Sequence, residues 1–183
     1  MTHSHANRRP CIFFDRDGIV NEPPKTYYLE EPAAFFITTA FLQALQIAAD
    51  KGYVAVIVTN QKGVSTGVMS PATLEAIHEK MHREITAAGL SVLDVFSATS
   101  GDDAHPWRKP NPGMLLDAAE KHGLDLSASW MIGDSPRDAV AGTRAGCQTI
   151  LVGCSTEEPS DIHLECLDEL PQCLAKHIPE CAG

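Results

Sequence analysis

Four short segments of the sequence combine acidic, hydroxyl and basic residues: FFDRDG at 13–18, VTNQ at 58–61, RKPNPG at 108–113 and GDSPRD at 133–138. The groups in them that can do chemistry are carboxylates, a threonine hydroxyl and two cations, namely Asp15, Asp17, Thr59, Arg108, Lys109 and Asp134. This mixture suits phosphoryl transfer with Mg²⁺, because the hard ion takes oxygen ligands while lysine and arginine neutralise phosphate oxygens.

The elements that must position these residues follow a βαβ pattern, in which short β-branched apolar runs alternate with helical patterns. Strands are predicted at 11–14, 54–59, 92–98, 130–132 and 148–152. Helices are predicted at 41–52, 70–88, 111–123 and 137–145, and an amphipathic segment near 166–176 is expected to pack outside. The pattern predicts one α/β domain with a parallel sheet.

The predicted strands place the polar residues at a common edge. Asp15 and Asp17 follow the first strand, Thr59 closes the second, and Asp134 follows the fourth. In an open parallel sheet, ligands bind beyond the carboxyl ends of the strands. With Lys109 just ahead of a helix, we expect a carboxylate cluster facing fixed cations at this edge.

Composition limits the class of protein. A chain of 183 residues with 44% hydrophobic residues suits a single domain over 1–183, with a motif core at about 10–153 and residues 154–183 packing outside. No apolar run approaches the ~20 residues that span a bilayer, and the first ten residues lack a signal-peptide pattern, so we expect a cytoplasmic protein. Six cysteines without a C-x-x-C pair are expected to be reduced thiols.

Charge argues against nucleic acid as a partner. The formal net charge is −10, and the 14 lysines and arginines are scattered along the chain. We expect a monomer whose partner is a small phosphorylated metabolite, with neither nucleic acid nor a membrane involved.

The four segments, in this order, resemble the signatures of the haloacid dehalogenase (HAD) superfamily of phosphatases over roughly residues 10–153. The resemblance implies a Rossmann-like three-layer fold with a central parallel sheet. It implies that Asp15 attacks phosphorus to form an aspartyl phosphate and that Asp17 protonates the leaving oxygen, then activates water. These roles agree with the chemistry of two carboxylates two residues apart.

The resemblance also assigns the other site residues. Thr59 would hydrogen-bond the phosphoryl oxygens, and Lys109 would hold both Asp15 and the phosphate. Mg²⁺ would be bound by Asp15, the carbonyl of Asp17 and Asp134. The remaining polar residues of the segments and their neighbours are candidate substrate contacts: Arg16, Asn60, Gln61, Lys62, Arg108 and Ser135.

The sequences that flank these segments narrow the resemblance to one branch of the superfamily. DRDGIVNE, TYYLEEPAAFFI, VTNQKGV and RKPNPGMLLDAAE are similar to the heptose bisphosphate phosphatase and histidinol phosphatase branch. The implied substrate is a sugar bisphosphate such as D-glycero-D-manno-heptose 1,7-bisphosphate, with histidinol phosphate as the alternative. The branch commonly has threonine where Ile19 stands here, and it commonly carries a zinc loop of cysteines before the R-K-P segment. Because SATSGDDAHPW at 97–107 has no cysteine, no zinc is expected there. His78 and His82 are four residues apart on a predicted helix, and they are expected to face solvent.

The stretches between the segments are too short for a folded cap domain, so loops must shape the pocket. Candidates are residues 23–36, with Tyr27 and Tyr28, residues 62–69, and residues 99–107, which end at Trp107. Aromatic residues in such loops serve packing as often as recognition.

A receiver-type signalling module is the alternative from another class, since it too uses an acceptor aspartate, Mg²⁺, a threonine and a lysine on a doubly wound sheet. Receivers carry the acceptor aspartate after the third strand. The third strand predicted here ends in SATS, so the order of the segments favours a phosphatase.

Overall fold

The computed structural model of the chain describes residues 8–24, 28–153 and 159–181. Within these ranges, six parallel strands form one sheet in the order β3-β2-β1-β4-β5-β6. The strands are β1 (Cys11–Phe14), β2 (Val54–Asn60), β3 (Asp94–Ala98), β4 (Trp130–Gly133), β5 (Gln148–Val152) and β6 (Ile162–Leu164). The helices are α1 (Thr39–Asp50), α2 (Pro71–Ala87), α3 (Gly113–His122), α4 (Pro136–Ala145) and α5 (Leu170–His177).

Helices cover both faces of the sheet, because successive side chains of β1 point into two different cores. Ile12 and Phe14 belong to the core shared with α1, α2 and α5. Cys11 and Phe13 belong to the core shared with α3 and α4. A strand that is buried on both faces has a nearly continuous run of apolar residues, and the sequence CIFF shows this pattern. The Rossmann-like three-layer α/β fold with a central parallel sheet is thereby confirmed.

Local caps set where the helices begin. The hydroxyl of Thr38 accepts a hydrogen bond from the Phe41 amide at 3.2 Å, so α1 begins earlier than its apolar pattern suggests. Ser70 caps α2 by accepting from the Thr73 amide at 3.0 Å, as its sequence predicts. Helix α3 begins at Gly113 rather than 111, since Pro112 occupies the N-cap.

The C-terminal segment needs a correction. Residues 154–183 were expected only to pack outside, but Ile162–Leu164 forms the sixth strand and pairs with β5. Helix α5 lies against α1, with Leu170, Cys173 and Leu174 buried in the α1/α2 core. Between β1 and β2 the described residues contain only a short 3₁₀ turn and α1, and only α2 lies between β2 and β3, which leaves no folded cap there. None of the helices in the described ranges is long and apolar enough to cross a membrane.

Candidate active site

The carboxyl edge of the sheet holds a cleft of about 340 Å³. Its floor and walls come from the ends of β1, β2 and β4 and from the segment before α3. All of the predicted site residues except Arg16 line it: Asp15, Asp17, Thr59, Asn60, Gln61, Lys62, Arg108, Lys109, Asp134 and Ser135. The four segments that were widely separated in sequence therefore share one site.

Lys109 is the centre of this site. Its side chain is only 2% exposed, and its Nζ donates to Asp15 Oδ1 at 2.7 Å and to the Val58 carbonyl at 2.9 Å. Nζ also lies 2.6 Å from Asp138 Oδ1. A buried ammonium with three oxygen partners is fixed in position, so Lys109 presents one cation at the base of the cleft.

The Lys109 backbone is held as well. Asn60, predicted as a substrate contact, donates from Nδ2 to the Lys109 carbonyl and accepts at Oδ1 from the Lys109 amide, both at 3.0 Å. These two bonds tie the end of β2 to the segment before α3. The side-chain amide of Asn60 therefore positions Lys109, and a contact of Asn60 with substrate stays a prediction.

The carboxylates around Lys109 outnumber it. Burial raises the pKa of Asp15 to about 8, and the neighbouring Asp138 and Asp134 add to that effect against the opposing charge of Lys109. Burial and then Asp138 raise the pKa of Asp134 to about 6. Although burial opposes its charge, Asp138 and Asp15 raise the pKa of Lys109 above its ordinary value. The cluster is thus short of positive charge.

A divalent cation fits this deficit. Oxygen atoms of Asp15, Asp134 and Asp138 lie within 4.8 Å of one another, the one such acidic, histidine or cysteine group among the described residues. Asp138 already uses Oδ1 on Lys109 and accepts from the Ser135 amide at Oδ2, 3.1 Å away. The donor set is all oxygen, as Mg²⁺ prefers, with Asp15 and Asp134 the carboxylates best able to hold it.

Glycines leave room for these carboxylates. Gly18 has φ of +88°, and a Cβ built there would collide with the Asp134 carboxylate. A Cβ at Gly133 would collide in the same way with Asp138. The positive φ and the close approach explain why glycine follows the second aspartate of the first segment.

Asp17 is held by three side chains. Arg16 donates from Nε and Nη2 at 2.8–3.1 Å, Asn21 Nδ2 donates at 3.0 Å, and Gln61 Nε2 donates at 3.0 Å. Burial would raise the pKa of Asp17, but the charge and hydrogen bonds of Arg16, with those of Asn21 and Gln61, lower it below the ordinary value. Gln61 also donates to the Thr59 hydroxyl at 2.8 Å, so it joins two of the predicted catalytic residues.

Arg16 itself does not line the cleft. Its side chain is 0% exposed and its guanidinium lies between Asp17 and His78. The prediction that Arg16 contacts substrate is therefore corrected, because the carboxylate beside it already occupies its donors. His78 and His82 were expected to face solvent; His82 does, while His78 is half-buried against Arg16.

The rim of the cleft carries cations. Lys62 and Arg108 line it as predicted, and Arg137 adds a third basic side chain that the sequence reading had not singled out. Arg108 is 7% exposed and pairs with Asp103 through Nε at 2.7 Å. Its Nη1 is buried with no hydrogen-bond partner among the described residues.

Ser135 has a structural use. Its hydroxyl accepts from the Arg137 amide at 3.4 Å, and Asp138 in return accepts from the Ser135 amide, which forms a capping box at the start of α4. The spacing S-x-x-D in GDSPRD was a readable signal for this box. It would have identified Asp138 as a residue pointing back toward the strand end.

The aromatic residues divide between the cleft and the core. Tyr28 lines the cleft, and Tyr27 lies outside the described residues. Trp107 instead packs edge-on against Phe96, with ring centroids 5.5 Å apart, and its Nε1 donates to Asp117 at 2.6 Å. Trp107 therefore orders the loop before α3 and is not among the residues lining the cleft.

Comparison with known proteins agrees with this geometry. Residues 106–181 match a family model described as HAD-hydrolase-like. A crystal structure of a HAD-like phosphatase from Mesorhizobium loti superposes with a TM-score of 0.78 at 30% identity, covering 92% of this chain and 87% of that one. The fold and the site thus define a HAD-type phosphatase.

Similarity is also high to one group within this class. The D-glycero-beta-D-manno-heptose-1,7-bisphosphate 7-phosphatase of Bordetella bronchiseptica is 38% identical over 142 residues, 77% of this chain and 79% of that protein. The corresponding enzyme of Pseudomonas aeruginosa is 32% identical over 79% of this chain and 81% of its own length. The B. bronchiseptica D,D-heptose 1,7-bisphosphate phosphatase, solved with magnesium and phosphate, superposes with a TM-score of 0.79 at 32% identity, covering 90% and 97%. The chain belongs to the heptose bisphosphate phosphatase branch of the HAD superfamily.

Proposed function

We propose that this protein is a Mg²⁺-dependent phosphatase that releases phosphate from a sugar bisphosphate through an aspartyl-phosphate intermediate. The observation that carries the proposal is the Asp15 carboxylate, held by buried Lys109 beside Asp134 at the floor of the cleft. The preferred substrate is D-glycero-D-manno-heptose 1,7-bisphosphate, on which the curated relatives are named to act.

Asp15 is proposed as the nucleophile. Its Oδ1 accepts from Lys109 Nζ and from the Arg16 amide at 2.8 Å, so we assign Oδ2 as the attacking atom. A bond forms between Oδ2 and phosphorus while the bond from phosphorus to the sugar oxygen breaks. Water then attacks phosphorus, and the bond to Asp15 breaks to release inorganic phosphate.

Asp17 is proposed to move the protons. It gives a proton to the departing sugar oxygen and takes one from the attacking water. The three side chains that hold it favour the ionised form, which is the form required in the second step. Thr59 is proposed to donate its hydroxyl to a phosphoryl oxygen, and its link to Asp17 through Gln61 supports that role.

Mg²⁺ would be held by Asp15, Asp134 and the Asp17 carbonyl, and it would supply charge neutralisation for the phosphoryl oxygens. Lys109 donates to Oδ1 of Asp15 and would bring a permanent cation to the phosphoryl group. Asp138 is assigned to orient Lys109, because its two oxygens accept from Nζ and from the start of α4.

A second phosphate would be bound at the rim. The buried Nη1 of Arg108 has no hydrogen-bond partner among the described residues, and an unpaired guanidinium nitrogen is costly until an anionic oxygen meets it. Lys62 and Arg137 lie on the same cleft. These cations support a substrate with two phosphates over a monoester.

The loop 99–107 is proposed to be ordered without zinc. Arg108 pairs with Asp103, and Asn111 Nδ2 donates to the carbonyls of Asp103 and His105, both at 3.0 Å. This ion pair and these two hydrogen bonds hold the loop in place, as a bound metal could. Elemental analysis of protein purified without chelator should find no stoichiometric zinc, and one tightly bound zinc per chain would contradict the proposal.

Phosphate release from a metabolite panel with Mg²⁺ tests the substrate. We expect the heptose bisphosphate to have the highest kcat/KM, with histidinol phosphate well below it. A kcat/KM about a hundredfold higher for histidinol phosphate, roughly 2.7 kcal/mol of transition-state binding, would reverse the assignment.

The rim is tested separately with Arg108→Gln. This change should raise KM for the bisphosphate more than for a sugar monophosphate, because only the former places an anion there. Arg83→Gln, on an arginine that is 69% exposed on α2, is the matched control and should change neither value. An equal effect of Arg108→Gln on KM for both substrates would show that the second phosphate does not bind at the rim.

Three expectations from the sequence stay predictions: a monomer, a cytoplasmic location and a single domain over residues 1–183. The five helices of the described ranges share with the strands the two cores on either side of one sheet, which supports the last of these. The free thiols of Cys11 and Cys147, both buried, are compatible with a reducing compartment.

A further inference from the structure

Arg16 connects Asp17 to a histidine on the neighbouring helix. Its Nε and Nη2 are occupied by the Asp17 carboxylate, at 3.1, 3.0 and 2.8 Å. Its other terminal nitrogen, Nη1, lies 3.4 Å from Nε2 of His78 on α2. The guanidinium is 0% exposed, so water does not compete for these contacts.

The chemistry of the contact fixes the state of the imidazole. A guanidinium only donates, so Nε2 of His78 must accept and the ring proton must sit on Nδ1. Burial lowers the pKa of His78 to about 4, and the charges of Arg16 and His82 act in the same direction, against a smaller opposing effect of Asp17. The neutral ring that the geometry requires is therefore also the form that its surroundings favour.

The position of His78 on α2 gives no packing reason for a polar side chain. Leu74, Ile77, Met81 and Ile85 form the buried stripe of this helix. His78 is one turn beyond Leu74, so a leucine at 78 would extend the stripe and would favour the helix. What leucine could not do is accept a hydrogen bond from Arg16.

We propose that His78 is a positioning residue for proton transfer: it fixes the Arg16 guanidinium, which in turn fixes the Asp17 carboxylate. Without an acceptor, buried Nη1 would turn toward another oxygen, and the two nitrogens on Asp17 would turn with it. The inference rests on the proposed role of Asp17. Its consequence is confined to steps in which Asp17 moves a proton.

The test compares His78→Leu, which removes the acceptor, with His78→Gln, which keeps one. Two substrates are used: D-glycero-D-manno-heptose 1,7-bisphosphate, whose alkoxide leaving group needs a proton, and p-nitrophenyl phosphate, whose leaving group does not. The matched control is His82→Leu, one turn further along the same helix at an exposed position.

For His78→Leu, we expect kcat/KM on the bisphosphate to fall between roughly 10- and 100-fold, mostly in kcat, and to stay within about twofold on p-nitrophenyl phosphate. His78→Gln and His82→Leu should stay near wild type on both substrates. Equal losses of kcat/KM on the two substrates, or a loss of kcat/KM in His78→Gln as large as in His78→Leu, would overturn the proposal.

A spectroscopic measurement tests the contact independently of turnover. In ¹⁵N-labelled wild type near neutral pH, the His78 signals, assigned by their loss in His78→Gln, should show Nδ1 protonated and Nε2 bare. A proton on Nε2 would overturn the proposal even if His78→Leu fails to fold. If wild type does not hydrolyse the bisphosphate, the proposed function fails, while this signal still decides whether His78 accepts from Arg16.

Discussion

Replacing Lys109 with methionine should remove both catalysis and much of the stability of the site. Lys109→Met keeps the length of the side chain but deletes the ammonium that lies 2.7 Å from Asp15 and 2.6 Å from Asp138. Lys109 and Asp138 are each 2% exposed, so solvent cannot replace the lost charge. Two carboxylates would then face each other with no cation between them.

The size of the effect follows from burial. Removing one partner of a buried ion pair typically costs about 3–5 kcal/mol, because the remaining charge stays desolvated. For catalysis, losing a fixed charge at the reacting group costs roughly 10²- to 10³-fold in kcat. We therefore expect a free energy of unfolding that is lower by about 3–5 kcal/mol. We also expect kcat to fall by at least roughly 10²- to 10³-fold.

The loss of stability should depend on pH. Lys109 lowers the pKa of Asp15, which burial has raised to about 8, so deleting Lys109 raises that pKa further. A carboxyl whose pKa is higher in the folded than in the unfolded protein stabilises the fold at pH values below its pKa in the unfolded protein. That stability is lost as pH rises through its pKa in the folded protein. In chelator, the deficit of Lys109→Met should be smaller near pH 5.5, where Asp15 is protonated in both proteins, than near pH 9.5, where Asp15 ionises and no cation faces it in the variant.

Urea unfolding of both proteins at the two pH values, with phosphate release measured alongside, provides the test. Lys121→Met is the control, since Lys121 also lies 2.7 Å from a carboxylate, that of Asp94, but is 61% exposed. An exposed pair is worth at most about 1 kcal/mol, so this variant should stay near wild type. If Lys109→Met unfolds within about 1 kcal/mol of wild type at high pH, Lys109 is not the buried cation described here.

Four further changes address the rest of the site. Asp15→Asn should abolish both turnover and acyl-phosphate labelling. Asp17→Asn should lower kcat/KM by ~10²- to 10⁴-fold on the bisphosphate and by less on p-nitrophenyl phosphate. A label mapped by rapid quench to any residue other than Asp15 would refute the assignment. Chelation should silence the enzyme, with Mg²⁺ restoring it and Ca²⁺ inhibiting, since the larger ion takes more ligands; equal turnover with Ca²⁺ would count against the Asp15–Asp134 site. Gly18→Ala should weaken Mg²⁺ binding measured by calorimetry, because its Cβ would displace the Asp134 carboxylate and its φ is +88°; unchanged affinity would contradict that close approach.

The sequence identified the site well because each motif marks a place in the fold as well as a chemical group. Asp15 follows a continuous apolar strand, and Thr59 closes another, so the parallel sheet places them at one edge. The predicted roles of Asp15, Asp17, Thr59, Lys109 and Asp134 stay predictions. Their meeting in one cleft is what the fold adds.

Residues whose positions depend on three-dimensional neighbours were beyond reach. Arg16 was assigned to substrate as one of the remaining polar residues of the first segment, yet a one-residue step along a strand end reverses the direction of the side chain. His78 is distant from every motif in sequence, and only the three-dimensional structure shows its contact with Arg16. Strand β6 is only three residues long, which is too short for an alternating pattern of apolar and polar residues to identify it.

Charge explains why these side chains form one system. Arg16 neutralises Asp17, so the pair adds no net charge to the floor of the cleft. With all three ionised, Asp15, Asp134 and Asp138 carry three negative charges against the one positive charge of Lys109, a formal excess of two. One divalent cation balances that excess, and this matches the raised pKa values of Asp15 and Asp134 when the cation is not counted. A phosphate entering the balanced floor meets no net repulsion there, so the rim cations are left to select for the rest of the substrate.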